Sequence, residues 1–130
     1  MPLIRNTKQG KKPLIKFYKE LHVNSNDYYN KISELMTTLI ERLEPILQNT
    51  IVYGLTSHDR LLLQTEDNYT SKVWLIIYAR FDFYYIEYAM PENIAPWKDA
   101  WVTGSTKSID EATKMIRMAM LRSGGWETVN

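Results

Sequence analysis

Few residues of this chain combine the types and the spacing that enzyme chemistry requires. His58, Asp59 and Arg60 form the only acid–base grouping, and the second histidine, His22, lies far from it in sequence. Adjacent residues in a turn point in different directions, and no serine or cysteine nucleophile motif accompanies them. We therefore interpret this grouping as turn chemistry and predict no catalytic residue and no enzymatic activity.

Metal and cofactor binding also lack a sequence signature. The chain contains no cysteine, and its histidines and carboxylates show no ligand spacing. Gly54, Gly104 and the Gly124–Gly125 pair do not form a phosphate-binding loop. We predict neither a metal site nor a cofactor.

Length and composition indicate one soluble globular domain. The chain has 130 residues, of which 45% are hydrophobic and 24% are charged, and this composition excludes a wholly disordered or fibrous protein. The N-terminus lacks the apolar core of a signal peptide, and no run approaches the roughly 18 apolar residues of a membrane-spanning helix. Since nothing indicates an oxidising compartment either, we predict a cytoplasmic protein with no membrane partner.

The formal net charge of +1 conceals an uneven distribution along the chain. Residues 1–24 contain six basic side chains and one acidic side chain, whereas the remainder contains ten basic and fourteen acidic side chains. The six are Arg5, Lys8, Lys11, Lys12, Lys16 and Lys19. Because residues 1–12 show neither helical nor strand periodicity, we predict a flexible basic leader there, followed by a single α+β domain at 13–130.

The strongest structural signal is the segment 72–90, KVWLIIYARFDFYYIEYAM. Its two runs of β-branched and aromatic residues are separated by a polar interruption around Arg80 and Asp82, which predicts a β-hairpin. Further strands are predicted at 51–56, 60–65 and 100–105. Strands in succession imply an antiparallel meander.

Two main helices flank these strands in the sequence. The first begins behind the capping residues 24–27, carries apolar residues at three- and four-residue steps, and should end or kink near Glu44 because of Pro45. Ser108 and Glu111 form a capping box that begins the last helix, and a short helix is also predicted after Pro13. We predict an α+β fold: an antiparallel sheet of four to five strands with two main helices on one face.

Helices on one face leave a second face of the sheet to carry aromatic residues, unless a loop or the leader covers it. Aromatic side chains are typical of protein interfaces. The loop 90–101 adds tryptophans in a proline-stiffened connection, and the loop before the hairpin adds acids. The predicted partner-binding residues are Trp74, Tyr78, Tyr84, Tyr88, Glu66, Asp67, Trp97 and Trp101.

Together these observations favour a protein-binding module. The leading hypothesis is an inhibitor of the immunity-protein or antitoxin type, which neutralises a partner protein by covering its active site. The acidic excess of the body suits a basic nuclease toxin as the partner. A homodimer is also possible through the aromatic face.

Two alternatives from other classes stay open. The first is a nucleic-acid-associated protein that uses the leader and the sheet aromatics, since 80–88, RFDFYYIEY, partly resembles the basic and aromatic strand of RNA-recognition domains. Asp82 and Tyr84 occupy positions of small residues in that pattern, and acids would repel phosphates, which makes nucleic acid the less favoured partner. The second is a small-molecule or enzymatic pocket with polar groups from Tyr78, Tyr85, His58 or Arg80.

Overall fold

The computed structural model of the protein describes residues 3–24 and 26–129, with the backbone alone at 23 and 24. Residues 1, 2 and 130, and Ser25 of the predicted capping cluster, lie outside the described residues. The described strands are β1 Leu3–Arg5, β2 Val52–Ser57, β3 Arg60–Gln64, β4 Leu75–Arg80, β5 Phe83–Ala89 and β6 Trp101–Thr106. The described α-helices are α1 Leu14–Glu20, α2 Asp27–Ile46 and α3 Ile109–Arg122.

The α+β class is confirmed, but the predicted sheet is wrong in two details. The described residues form six strands rather than four or five, in the order β1-β2-β3-β4-β5-β6. The sheet is mixed rather than antiparallel, because β1 runs parallel to β2 while the other pairs are antiparallel. The extra strand comes from the predicted leader, where three residues are too few to show a two-residue period.

Side chains of the predicted leader attach it to the sheet. The Asn6 amide donates to Gln64 Oε1 at 3.0 Å, and both side chains are buried. Beyond the end of β1, Gln9 Nε2 donates to the Thr56 carbonyl at 2.7 Å while Gln9 Oε1 accepts from the Thr56 N–H at 2.6 Å. Gln9 therefore satisfies the backbone of β2 as a neighbouring strand would.

The predicted hairpin is present as β4 and β5, joined by a two-residue turn. Its register runs from Arg80 opposite Phe83 to Leu75 opposite Tyr88. On one face, Leu75 and Ile77 are completely buried, and the helices pack against this face. The two-residue alternation of a strand places the intervening side chains on the other face.

The two main helices begin where capping residues predict. Asn26 Oδ1 accepts from the Tyr28 N–H at 2.9 Å at the start of α2, and the Ser108 hydroxyl accepts from the Glu111 N–H at 3.1 Å at the start of α3. α2 ends at Ile46, one residue past Pro45, because a proline in the last turn removes only one hydrogen bond. The buried apolar residues of α2 are Ile32, Met36, Leu39, Ile40 and Leu43.

Asn6→Ala tests how firmly the leader is docked. The substitution leaves the fully buried Gln64 Oε1 without its donor, so we expect the free energy of unfolding to fall by about 1–3 kcal/mol. Urea unfolding measures the loss. The exposed Lys8 side chain provides the control, since Lys8→Ala should change stability by less than about 0.5 kcal/mol. Equal stability of the two variants would contradict a docked leader.

Candidate functional site: the open face of the sheet

The face of β3–β6 turned away from the helices is the candidate functional site, and we call it the open face. Its side chains alternate along each strand with the buried core residues. The central members are half-buried and those of β6 are exposed. The open face consists of Arg60, Leu62, Ile76, Tyr78, Arg80, Phe83, Tyr85, Glu87, Trp101, Thr103, Ser105 and Lys107.

A loop covers the part of the open face that lies at the end of β3. Gln64 follows the open-face position Leu62 by two residues, yet it is fully buried. Its Nε2 donates to the carbonyls of Asn68 and Ser71 at 3.2 and 3.1 Å, so residues 66–71 fold against it. The uncovered part of the face therefore lies on β4, β5 and β6 and on the beginning of β3.

Two tyrosines and two arginines form the centre of the open face. Tyr78 and Tyr85 are directly opposite on β4 and β5, and their rings stack with centroids 5.1 Å apart and planes 6° apart. The guanidinium groups of Arg60 and Arg80 lie 4.6 and 5.1 Å from the centroid of the Tyr78 ring. Such cation–π contacts are favourable electrostatically. We call Arg60, Tyr78, Arg80 and Tyr85 the tyrosine–arginine cluster.

Carboxylates on both sides hold the cluster in place. Asp59 is buried in the β2–β3 turn, and its Oδ1 lies 3.0 Å from Arg80 Nη2. The Tyr78 hydroxyl donates to Glu87 Oε2 at 2.6 Å. Burial, together with the hydrogen bond and negative charge of Glu87, raises the pKa of Tyr78 to about 12. At neutral pH Tyr78 is therefore a neutral hydrogen-bond donor.

The groups of the tyrosine–arginine cluster are of the types that bind partners through stacking, charge and hydrogen bonds. The cluster offers a planar stack of aromatic rings, a guanidinium of Arg60 that makes no ion pair within the described residues, and a phenol committed to Glu87. Arginine and tyrosine are also the residue types that contribute most to protein interfaces.

The structure places some of the predicted partner-binding residues at or beside the open face. Tyr78 lies at its centre, and Trp101 lies at its edge on β6. Trp97 is 72% exposed in the loop before β6. Trp97 and Trp101 together line a depression of about 560 Å³ between that loop and the strands. Trp101 therefore belongs both to the edge of the open face and to this depression.

Three other predicted residues lie elsewhere. Tyr84 is only 2% exposed on the helix-covered face, and its hydroxyl donates to the Leu35 carbonyl at 3.0 Å. Tyr88 is on that same face, because it pairs with Leu75. Trp74 turns toward the C-terminal segment, where its ring lies 6.5 Å from that of Trp126. An aromatic side chain in a strand can lie on either face of the sheet, and the register of strand pairing determines which face it occupies.

The predicted acidic and histidine positions are not part of the tyrosine–arginine cluster. Asp67 accepts from the Thr7 N–H and hydroxyl, both at 2.9 Å, so it ties the loop to the leader. Glu66 is exposed in the same loop. His58 is exposed at the β2–β3 turn with a φ of 56°. The turn interpretation fits His58, whereas the Asp59 carboxylate pairs with Arg80 instead of the backbone.

Arg60 was considered only as part of the grouping with His58 and Asp59 and was absent from the predicted partner-binding residues. The alternating pattern contained a signal for it, since Arg60 precedes the buried Leu61 and must point to the opposite face. Its approach to Tyr78 depends on the pairing of β3 with β4, where Leu61 is opposite Ile77. That pairing is a contact between separate segments, which a pattern within one segment does not reveal.

Comparisons with known proteins leave the site to be interpreted from its own geometry. No model of a known protein family matches the chain, and searches of curated proteins and of solved structures found no match. None of the helices within residues 3–24 and 26–129 is long and apolar enough to cross a bilayer. Within the same residues, no three His, Asp or Glu side chains are grouped closely enough to hold a metal ion.

The raised pKa values of three tyrosines make the stability of the folded protein decrease at alkaline pH. Burial raises the pKa of Tyr18 above its usual value of 10.0 and raises that of Tyr84 to about 12, as it does for Tyr78. Their contribution to stability is complete below pH 10, where both folded and unfolded chains keep the phenol protons. Above pH 10 the unfolded chain releases protons that the folded chain retains, so stability falls as the pH rises toward 12.

Tyr78→Phe should make this alkaline loss less steep, because one of the three protons is no longer involved. Urea unfolding at a series of pH values above 9 measures the slope of the unfolding free energy against pH. Phe83→Leu changes the same face without changing a titratable group, so its slope should equal that of the unsubstituted protein. An unchanged slope for Tyr78→Phe would show that Tyr78 ionises equally in both states.

Proposed function

We propose that the protein acts by binding another protein through the open face. The observation that carries this proposal is the tyrosine–arginine cluster, a set of aromatic and guanidinium groups on a sheet face that no described helix covers. Apolar area at Leu62, Ile76 and Phe83 surrounds the cluster. A central group of Tyr and Arg within an apolar surround is typical of interface hot spots.

The cluster is also ordered before any partner arrives. Tyr85 stacks on Tyr78, Tyr78 donates to Glu87, and Arg80 pairs with Asp59. Side chains that are already fixed lose less conformational entropy on binding, so more of the contact energy remains as affinity. A rigid sheet beneath them prevents large rearrangement.

The charges of the open face favour a partner with an acidic contact surface. Arg60 and Lys107 carry positive charge, Glu87 carries negative charge, and the charge of Arg80 is compensated by Asp59. A cationic surplus attracts carboxylates and speeds their approach. This surface fits an acidic partner better than the basic nuclease that the acidic excess of the body suggested.

Our more specific proposal is inhibition by occlusion, as immunity proteins and antitoxins achieve it. It is supported by the sheet face that no described helix covers and by the location of the ordered Tyr and Arg side chains on that face. Such a protein needs no reactive group of its own, because covering the partner's active site is sufficient. Co-expression with the partner should then suppress the partner's activity in proportion to complex formation.

A single-stranded nucleic acid is the second candidate, since arginines beside tyrosines are also typical of base-stacking surfaces. Two observations weigh against it. The guanidinium groups of both arginines lie at the Tyr78 ring, where a base would have to stack. The Glu87 carboxylate accepts from the Tyr78 hydroxyl, and its negative charge would repel phosphates. Fluorescence anisotropy with a labelled single-stranded oligonucleotide at several salt concentrations distinguishes this candidate from protein binding.

Arg60→Ala should weaken partner binding by about tenfold or more, because arginines at the centre of an interface commonly contribute over 1 kcal/mol. The Arg60 side chain is exposed and its contact is the Tyr78 ring, so we expect stability to fall by less than about 1 kcal/mol. Affinity purification of the tagged protein from cells that express it identifies the partner. Calorimetry with the purified partner measures the dissociation constant.

Arg122→Ala is the matched control, since Arg122 is an exposed arginine at the end of α3 on the helical side of the molecule. It should leave partner affinity unchanged. Equal affinities for Arg60→Ala and Arg122→Ala would contradict binding through the open face. Recovery of nucleic acid instead of a stoichiometric protein would favour the second candidate.

A further inference from the structure

β6 is an edge strand whose outer side has no neighbouring strand in the described part of the chain. Its six residues, WVTGST, include no proline and no charged side chain. Natural proteins protect long edge strands with such residues, because exposed backbone groups pair readily with another strand. We propose that β6 pairs with β6 of a second copy, which joins the two sheets around a two-fold axis.

The hydrogen-bond alternation of the sheet identifies the backbone groups that are available for this pairing. The Met90 N–H donates to the Ala100 carbonyl at 3.0 Å, so the pair of residues 90 and 100 is a hydrogen-bonded one. In an antiparallel ladder such pairs recur at every second residue. Val102, Gly104 and Thr106 therefore bond to β5. The N–H and C=O groups of Trp101, Thr103 and Ser105 point outward.

The opposite edge of the sheet, formed by β1, offers fewer free backbone groups than β6 does. β1 has only three residues, and Gln9 satisfies the backbone of β2 beyond them. A short edge offers a second chain few hydrogen bonds. β6 is therefore the edge of the sheet at which a second strand can form a continuous ladder of backbone hydrogen bonds.

One register uses all three outward residues of β6. With the two-fold axis at Thr103, Thr103 is opposite itself and Trp101 is opposite Ser105 of the second copy, all as hydrogen-bonded pairs. The same register brings the turn that holds Asp99 (φ 59°), just before β6, near Lys107 of the second copy, just after it. Opposite charges across an interface favour that register. A shift by two residues leaves one outward residue outside the ladder and separates these charges.

Apolar side chains on the helical side adjoin the same edge. Val102 and Met118 are 36% and 51% exposed, and both line a groove of about 300 Å³ between β6 and α3. The two-fold pairing places both copies of this strip on the same side of the joined sheet, flanking the axis. Gly104 leaves room for the flexible end of the Met115 side chain of α3, since a Cβ at that position would lie 2.6 Å from Met115 Cε.

The oligomeric state of the full chain tests the pairing. Sedimentation equilibrium should give a mass that approaches twice the 15.3 kDa of one chain as the concentration rises. Thr103→Pro removes an outward N–H without removing a bond to β5, so this variant should stay folded and become monomeric. Thr103→Ala keeps the N–H and should stay dimeric. Circular dichroism and thermal unfolding report whether each variant is folded.

A cross-linking experiment tests the register directly, because the natural chain contains no cysteine. Cα atoms of a hydrogen-bonded antiparallel pair lie about 5.5 Å apart, within the range that a disulfide bridges. Thr103→Cys should therefore form a disulfide-linked dimer on mild oxidation. Ser105→Cys places its two thiols about 13 Å apart along the strands and should remain uncross-linked under the same conditions.

The outcomes separate this inference from the proposed function. A chain that stays monomeric up to near-millimolar concentration, or a dimer that survives Thr103→Pro, overturns pairing through β6. Equal cross-linking of Thr103→Cys and Ser105→Cys overturns the register. Arg60→Ala should leave the dimer intact, because Arg60 lies on β3, so loss of partner binding and loss of self-association are distinguishable.

Discussion

The register between β4 and β5 is the constraint on which the rest of the molecule depends. With Tyr78 opposite Tyr85, the same pairing places Ile77 opposite Ile86 and Ala79 opposite Tyr84 in the core. Because side chains alternate between faces, a slip of one residue would bury the tyrosine–arginine cluster and expose the core. Burial of apolar area beneath α2 and α3 therefore fixes the composition of the open face as well as that of the core. The proposed binding face and the stability of the core are therefore specified by one set of cross-strand contacts.

The same register explains why the open face can be polar and yet ordered. A tyrosine ring on an uncovered sheet face usually retains rotameric freedom, which costs entropy when a partner orders it. Here Tyr78 is limited by a stacked ring on one strand and by Arg60 from another, and its hydroxyl is held by Glu87. Each restraint comes from a neighbouring strand position rather than from a covering helix. The sheet itself thus provides the preorganisation that recognition requires.

Sequence patterns predicted the elements better than their partners. The hairpin, the long amphipathic helix and the last helix were all identified, because periodicity and capping are local signals. The strand at Leu3–Arg5 was missed, since its evidence is the pairing with Val52–Gly54 and the buried Asn6 amide, both contacts distant in sequence. For the same reason the alternation within each strand separated the aromatic residues into two faces without showing which face the helices cover. Tyr84 and Tyr85 are neighbours in sequence, but only Tyr85 belongs to the tyrosine–arginine cluster.

The open face and the β6 edge have a joint consequence if both proposals hold. A two-fold axis at Thr103 runs perpendicular to the joined sheet, so the two open faces lie on the same side of one continuous sheet. Trp101 of each copy then lies beside Ser105 of the other, between the two tyrosine–arginine clusters. A partner with two acidic sites at matching separation would bind both clusters, and the second contact would form at a high effective concentration. The dimer would therefore select partners by spacing as well as by charge, a discrimination that one isolated sheet face cannot achieve.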